Sequence, residues 1–240
     1  AELIGKGGLR LQKAGQISTL TGFEEGAWWV QDVAASLPAR CLTGLDGKIV
    51  LDLCAAPGGK TMQLVAAGGN VTAMDLSKYR LERVQENLER TGLKAKVVTA
   101  DVLTWKPGVL YDAILLDAPC TATGTIRRHP DVPHLKDKDA INSLVTLQKQ
   151  MLAHAFEWLK PGGQMIYSTC SLLKREGEDQ IVDFINNNNL AEIIPIDTDD
   201  LGLPKEWLTQ AGCLRTLPSY WPEKGGMDGF FLAKLAKKTG

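Results

Sequence analysis

The chain has 240 residues, 44% of them hydrophobic, and a formal net charge of −1 at pH 7, which suits one large globular domain with a sizeable core. A charge so close to zero excludes a global pull towards polyanions, so a nucleic-acid partner has to be met by local basic patches. No apolar run approaches a membrane span and no signal-peptide pattern opens the sequence; five cysteines, Cys41, Cys54, Cys120, Cys170 and Cys213, without CxxC spacing, argue against a disulfide framework and a zinc ribbon and for a reducing cytoplasm.

Residues 1–40, rich in Gly and Lys over their first fifteen positions, read as an N-terminal extension packed on or leading into a domain at 41–240. "KIVLDLCA" (48–55) predicts a buried strand, and "KTMQLVAA" (60–67) a helix closed by Gly68 and Gly69. "NVTAMD" (70–75) predicts a second strand. A helix follows from Ser77 to about Arg90, with Leu81, Val84 and Leu88 on one face and Gly92 as its stop. "AKVVTAD" (95–101) and "YDAILLDA" (111–118) are the third and fourth strands. Ile141, Leu144, Met151, Leu152 and Ala155 keep helical spacing from about Lys138 to Leu159, and "PGG" (161–163) reads as the end of that helix. "GQMIYST" (163–169) is a fifth strand, "REGEDQIVDFI" (175–185) another helix with a loop at Asn186–Asn189, and "DGFFLAKLA" (228–236) a late strand.

Strands alternating with helices predict an α/β fold: a Rossmann-like, doubly wound, mostly parallel sheet with helices on both faces and a late antiparallel strand. Ligands of such sheets sit outside the carboxyl ends of the strands. Asp52, Cys54, Asp75, Asp101, Asp117, Cys120 and Cys170 all fall at those ends. Singly, each acid reads as a cap or turn residue and each thiol as a small buried apolar group. Their coincidence points to a site.

"CAAPGGKT" (54–61) joins the first strand to the first helix. Its glycines allow close backbone approach, and a helix N-terminus favours negative charge. A P-loop is excluded, because GxxxxGK[ST] needs glycine where Cys54 stands. The GxGxxG fingerprint is also absent. A glycine turn followed by an acid, Asp75, ending the second strand suits a nucleoside-bearing cofactor whose ribose hydroxyls donate to that acid. S-adenosylmethionine is such a molecule.

"LDLCAAPGGKT", "AMDLS", "DAPCTATGTIRRHPD" and "STCS" occur in this chain in the order seen in the RNA 5-methylcytosine methyltransferases. The chain resembles that family from "GAWWVQDVAAS" (26–36) to "DGFFLAKL" (228–235), and "ATGTIRRHPD" points to its bacterial branch acting on 16S ribosomal RNA. The resemblance implies that Cys54, Ala55, Ala56, Pro57, Gly58, Gly59 and Lys60 wrap the methionine part of S-adenosylmethionine. It further implies that Asp75, holding the ribose, and Arg80 bind the cofactor, that Asp101 lies beside the adenine, and that Asp117 faces both cofactor and base. It gives Cys170 as nucleophile and Cys120 as the group that assists release. Thr121 departs from the family's usual serine but keeps the hydroxyl. Family members usually carry a helical RNA-binding domain before the methyltransferase part. Residues 1–40 do not resemble it, so the chain reads as the catalytic part.

Two thiols at two strand ends suit this chemistry. Carbon 5 of cytosine is a poor nucleophile until a thiolate adds to carbon 6, and after methyl transfer the carbon 5 proton must leave before the thiol is expelled. Spacing alone does not say which thiol attacks. Asp117, if it carries a proton, is placed to hydrogen-bond ring nitrogen 3. The aperiodic stretch 119–137 is long enough to be functional, and its Arg127, Arg128 and His129 are able to contact RNA phosphates. Lys6, Arg10 and Lys13 at the front and Lys234, Lys237 and Lys238 at the end are weaker patches, and Trp28 and Trp29 read as base-stacking or core residues. His129, His134 and His154 lack metal-ligand spacing, so no metal is expected. A cysteine hydrolase using Cys120 or Cys170 with a histidine leaves the glycine turn and Asp75 idle. An RNA-binding scaffold leaves the acids and both thiols idle.

Overall fold

A computed structural model describes residues 1–5, 7–11 and 15–239. A two-stranded hairpin, β1 (Glu2–Ile4) and β2 (Gly8–Arg10), comes first, followed by α1 (Val33–Arg40). The alternating part is β3 (Ile49–Leu53), α2 (Gly59–Ala66), β4 (Asn70–Asp75), α3 (Lys78–Thr91), β5 (Lys96–Thr99), β6 (Tyr111–Asp117), α4 (Lys138–Glu157), β7 (Leu159–Thr169) and α5 (Glu178–Asn186). β8 (Ala191–Ile194), a one-turn α6 (Thr198–Leu201), β9 (Leu214–Thr216) and β10 (Phe230–Lys237) complete it.

The main sheet has eight strands in the order β5-β4-β3-β6-β7-β10-β8, with β9 also on β10. β5, β4, β3, β6 and β7 run parallel, and β10 is antiparallel to β7, β8 and β9. β3 is central, and its Val50, Leu51 and Leu53 are fully buried, as expected of a strand covered on both faces. Val50, Leu115 and Ile166 point to the side where Ala34 and Leu37 of α1 and Leu64 of α2 pack. Leu51, Ile114 and Tyr167 point to the other, against Leu152 and Ala155 of α4 and Ile181 of α5. α1, the last part of the stretch 1–40, is therefore built into the same core as β3 and β6. The sheet order reverses between β3 and β6, and at that switch point the carboxyl ends diverge to leave a crevice.

One sequence reading is corrected. "PGG" does not stop α4, which ends at Glu157, but lies inside β7. The register jumps from Tyr111↔Leu159 to Ala113↔Gln164. Gly162 supplies the left-handed residue of this bulge, at φ 75°. The end of α4 is met instead by a distant cation: Lys237 Nζ donates to the carbonyls of Phe156, Glu157 and Leu159 at 3.2, 3.2 and 2.9 Å. A cation on the last carbonyls of a helix satisfies orphan acceptors and offsets the helix dipole. Lys237→Met keeps the apolar stem and removes the charge. It is expected to lower unfolding free energy by about 1 kcal/mol, measured by urea denaturation.

Candidate active site

A cleft of about 660 Å³ opens at the carboxyl ends of β3 and β6, lined by Asp52, Cys54 and Lys60, by Asp117, and by Trp29 and Arg128. The turn after β3 forms one side. Cys54 is left-handed at φ 60°, and Gly58, at φ 103°, caps α2. A left-handed residue with a side chain costs of order 1–3 kcal/mol and marks ligand sites. Ala55 N donates to Met74 O at 3.0 Å, and Gly58 N to Ala55 O at 2.8 Å, which folds the turn back against β4. Asn87 Nδ2 holds Pro57 O at 2.9 Å.

Asp75 is buried at the end of β4. Its Oδ2 accepts from Ala56 N at 3.3 Å, its Oδ1 from Ser77 N at 3.0 Å, and Arg80 Nη1 stands 3.3 Å from Oδ2. Arg80 also donates to Ala56 O at 2.9 Å, so it ties the acid to the turn. Asp101 follows β5, and its Oδ1 accepts from Leu103 N at 2.9 Å. Leu76, which sequence reasoning passed over, is 70% exposed beside Asp75 and offers an apolar face for a flat ring.

Asp52 is fully buried. Its Oδ2 accepts from Thr61 Oγ1 at 2.6 Å, while Oδ1, among the described residues, has no partner. Burial pushes its carboxyl up to about 7, against the opposing Thr61 hydrogen bond and Lys60 charge. A buried acceptor left open in the wall of a cleft is a place for a donor or cation of a ligand. Lys60 Nζ lies 2.8 Å from Asp117 Oδ2, and Ser168 Oγ donates to Asp117 Oδ1 at 2.9 Å. Burial alone lowers the Lys60 ammonium, but the Asp117 carboxylate, with Asp52 and Cys170 behind it, offsets burial and the net shift is upward. Both Asp117 oxygens thus accept hydrogen bonds, one from Lys60 and one from Ser168.

The two thiols meet. Cys120 Sγ and Cys170 Sγ are 3.4 Å apart, although 50 residues separate them. Their loops are pinned together at Gly124, whose N donates to Cys170 O and whose O accepts from Gly229 N, both at 2.8 Å. A Cβ at Gly124 would stand 1.9 Å from Gly229 O, so only glycine fits. The Cys120 thiol is pushed well above its ordinary value, first by the hydrogen bond with Cys170, then by burial. Burial also pushes up Cys41, Cys54 and Cys213, which suits structural thiols. Among the described residues no histidine is hydrogen-bonded to Cys120 or Cys170, so the hydrolase arrangement is not formed.

Arg127 and Arg128 are already engaged. Arg128 forks onto the buried Asp228, with Nε 3.1 Å from both carboxylate oxygens and Nη2 2.6 Å from Oδ2. Arg127 Nη2 bridges Asp32 at 3.1 Å and Asp228 at 3.4 Å. The pair joins the 119–137 loop to the α1 cap and to the segment before β10, while His129 beside it is exposed. At the front, Arg10 donates to Lys224 O, and Lys6 and Lys13 lie outside the described residues. Lys237 is turned onto α4, and Lys238 Nζ donates to Asn189 O at 2.9 Å. Because β10 runs antiparallel to β7, these lysines sit at the far end of the sheet from the thiols. Trp29 packs partly against the core and lines the cleft, and Trp28 donates to Thr21 O at 3.0 Å. Among the described residues no group of three or more His, Cys, Asp or Glu is placed to hold a metal ion, and no helix is long and apolar enough to cross a membrane.

Residues 39–236 match the family described as 16S rRNA methyltransferase RsmB/F. Ribosomal RNA small subunit methyltransferase B of Shewanella oneidensis is 41% identical over 232 residues, covering 93% of this chain and 51% of that protein. Its namesake from Erwinia tasmaniensis is 42% identical over 235 residues, 96% of this chain and 52% of that one. The chain spans about half the length of the curated relatives it matches. Among solved structures, NSun6 from Pyrococcus horikoshii with SFG superposes with a TM-score of 0.78 at 30% identity, over 94% of this chain and 57% of that one. The sequence motifs, the switch-point cleft and these relatives agree: the chain belongs to the 16S rRNA methyltransferase RsmB/F family.

Proposed function

We propose that the chain transfers a methyl group from S-adenosylmethionine to carbon 5 of a cytosine in RNA, with 16S ribosomal RNA as substrate, through a covalent adduct of Cys170 with carbon 6. The observation that carries this reading is the 3.4 Å approach of Cys120 and Cys170, one after β6 and one after β7. The relatives are named as ribosomal RNA methyltransferases, which supports RNA as substrate. The residues fit the cofactor: Asp52 Oδ1, buried just behind the cleft wall and without a partner among the described residues, suits an ammonium that reaches it, Asp75 a ribose diol once Arg80 moves aside, and Leu76 the adenine ring. When bound, S-adenosylmethionine supplies an electrophilic methyl on a sulfonium.

The chain's own residues do the rest. The Cys170 thiolate bonds carbon 6, and the displaced electron pair reaches carbon 5, which takes the methyl group. Asp117 accepts from the exocyclic amino group, and the Lys60 ammonium beside it provides the donor for ring nitrogen 3. Once Cys170 is a thioether, its negative charge no longer raises Cys120, which then loses its proton to solvent more readily. The Cys120 thiolate takes the carbon 5 proton, the Cys170–carbon 6 bond breaks, and the Cys170 thiolate returns. The cytosine has to be unstacked to enter the cleft. Arg128 Nη1 and His129, at the cleft edge, are proposed to meet the RNA backbone, and Arg127 to hold their loop. We place the enzyme in the cytoplasm, where its thiols stay reduced.

The test is methyl transfer from labelled S-adenosylmethionine to 16S ribosomal RNA fragments, with nucleosides identified by mass spectrometry. 5-Methylcytidine is expected, and label on a ring nitrogen or a ribose would refute the proposal. For the cofactor, Asp75→Ala is expected to weaken S-adenosylmethionine by about 1.5–3 kcal/mol, the scale for hydrogen bonds to a charged acceptor. Arg80→Ala, which loosens the tie to Ala56 O but keeps the Asp75 carboxylate, should change affinity less. Equal losses in calorimetry would sink the ribose assignment.

A further inference from the structure

The residues that follow the two thiols share one buried carboxylate. Glu176, in the turn before α5, is fully buried. Its Oε1 accepts from Thr121 N at 3.0 Å and from Gln148 Nε2 at 2.9 Å. Its Oε2 accepts from Thr121 Oγ1 and Ser171 Oγ, both at 2.5 Å. Thr121 follows Cys120, and Ser171 follows Cys170.

We propose that Glu176 is a positioning residue that sets the distance between the Cys120 and Cys170 thiols by tying the loops after β6 and β7 to one carboxylate. The proposal rests on the reading of these thiols as attacking and releasing groups. The tie is braced on every side. Gln148 of α4 spans from Glu176 to Pro119 O, 2.8 Å away, on the Cys120 loop. Tyr167 OH of β7 donates to the Glu176 carbonyl at 2.7 Å. Thr123 Oγ1 accepts from Leu172 N at 2.9 Å and joins the two loops a second time. The hydroxyl kept at Thr121, where serine is the family's habit, thereby acquires a use: either residue supplies the donor. The carboxylate also helps hold the proton on Cys120, behind the larger effects of Cys170 and burial. None of these groups belongs to the turn at 54–60, so cofactor binding is outside the clamp.

A probe of thiol spacing tests this without RNA. Phenylarsine oxide bridges two adjacent thiols: two As–S bonds form, and the oxide oxygen leaves as water with both thiol protons. The wild-type chain should be captured through Cys120 and Cys170, and Cys120→Ala and Cys170→Ala should not. Glu176→Gln and Thr121→Val should weaken capture about tenfold and lower kcat for methyl transfer about 10–100-fold, the cost of a misplaced reacting group, with KM for RNA and affinity for S-adenosylmethionine within about twofold. Thr121→Ser should match the wild type. Wild-type capture and kcat in Glu176→Gln overturn the proposal. If Glu176→Gln does not fold, wild-type behaviour of Thr121→Val overturns it. Capture without any 5-methylcytidine refutes the methyltransferase reading while the clamp stands, and failure of capture in the wild type refutes the clamp.

Discussion

Cys170→Ala is expected to lose methyl transfer by on the order of 10⁴-fold or more, the scale on which covalent nucleophiles matter. Without the sulfur–carbon 6 bond no electron-rich carbon 5 forms, so the loss falls on kcat. The same variant should bind S-adenosylmethionine like the wild type, because the cofactor turn hangs from β3 while Cys170 ends β7. Cys120→Ala should fail differently. Its attacking thiol is intact, so it adds to carbon 6 and accepts one methyl group, but the carbon 5 proton has lost its base. The adduct should persist as a protein–RNA species that survives denaturing electrophoresis and vanishes when Cys170 is also replaced. If the trapped species appears in Cys170→Ala and depends on Cys120, the two roles are exchanged. If neither variant loses activity, the meeting of the thiols is structural and the mechanism fails.

That the thiols would meet was legible because parallel strands deliver their carboxyl ends to one edge. β6 and β7 are neighbours in register, Asp117 opposite Ser168, so residues three and two beyond those positions arrive together. The same periodicity exposed every central strand and the helices α2 to α5. What escaped was short or locally discouraged. β8 and β9 have four and three residues, too few for a period to register. α1 carries Pro38 within eight residues, a residue that speaks against a helix interior. "PGG" carries the signature of a helix stop, yet the sheet uses it as a bulge, because Lys237, some 80 positions away in sequence, closes α4 instead. The site shows the same divide. Cys54, Asp75, Asp117, Cys120 and Cys170 are announced by their strands. Glu176 and Asp228 are not, since nothing local distinguishes a buried acid 55 residues from Thr121 or 100 residues from Arg128. Those pairings also changed the reading of Arg127 and Arg128, which look like free cations in sequence and are partly spent on Asp228 in the fold.

Asp52 is expected to make the chain lose stability as pH rises from about 4 to about 7. Its carboxyl is fully buried, has one hydroxyl donor, and leaves Oδ1 open among the described residues. Burial lifts it from 3.8 to about 7; Thr61 and Lys60 pull downward, and Asp117 and Asp75 push further up. Between those values the unfolded chain has released this proton while the folded chain keeps it. The folded state then binds more protons, so unfolding free energy falls with pH across the window and levels off above it. The distance from 3.8 to about 7 corresponds to about 4 kcal/mol, of which about 2 kcal/mol lies between about pH 5.5 and about pH 8. Asp52→Asn keeps the shape and an acceptor for Thr61 but has no proton to lose. Urea denaturation at those two pH values should therefore show the variant gaining about 2 kcal/mol on the wild type at the higher pH, other titrating groups cancelling in the difference. An unchanged difference would mean that Asp52 already ionises freely in the fold. A cationic ligand group at Oδ1 should reverse the effect, because it favours the charged carboxylate. Saturating S-adenosylmethionine is then expected to flatten the wild-type pH dependence towards that of Asp52→Asn, which ties the cost of this buried acid to the ligand that would use it.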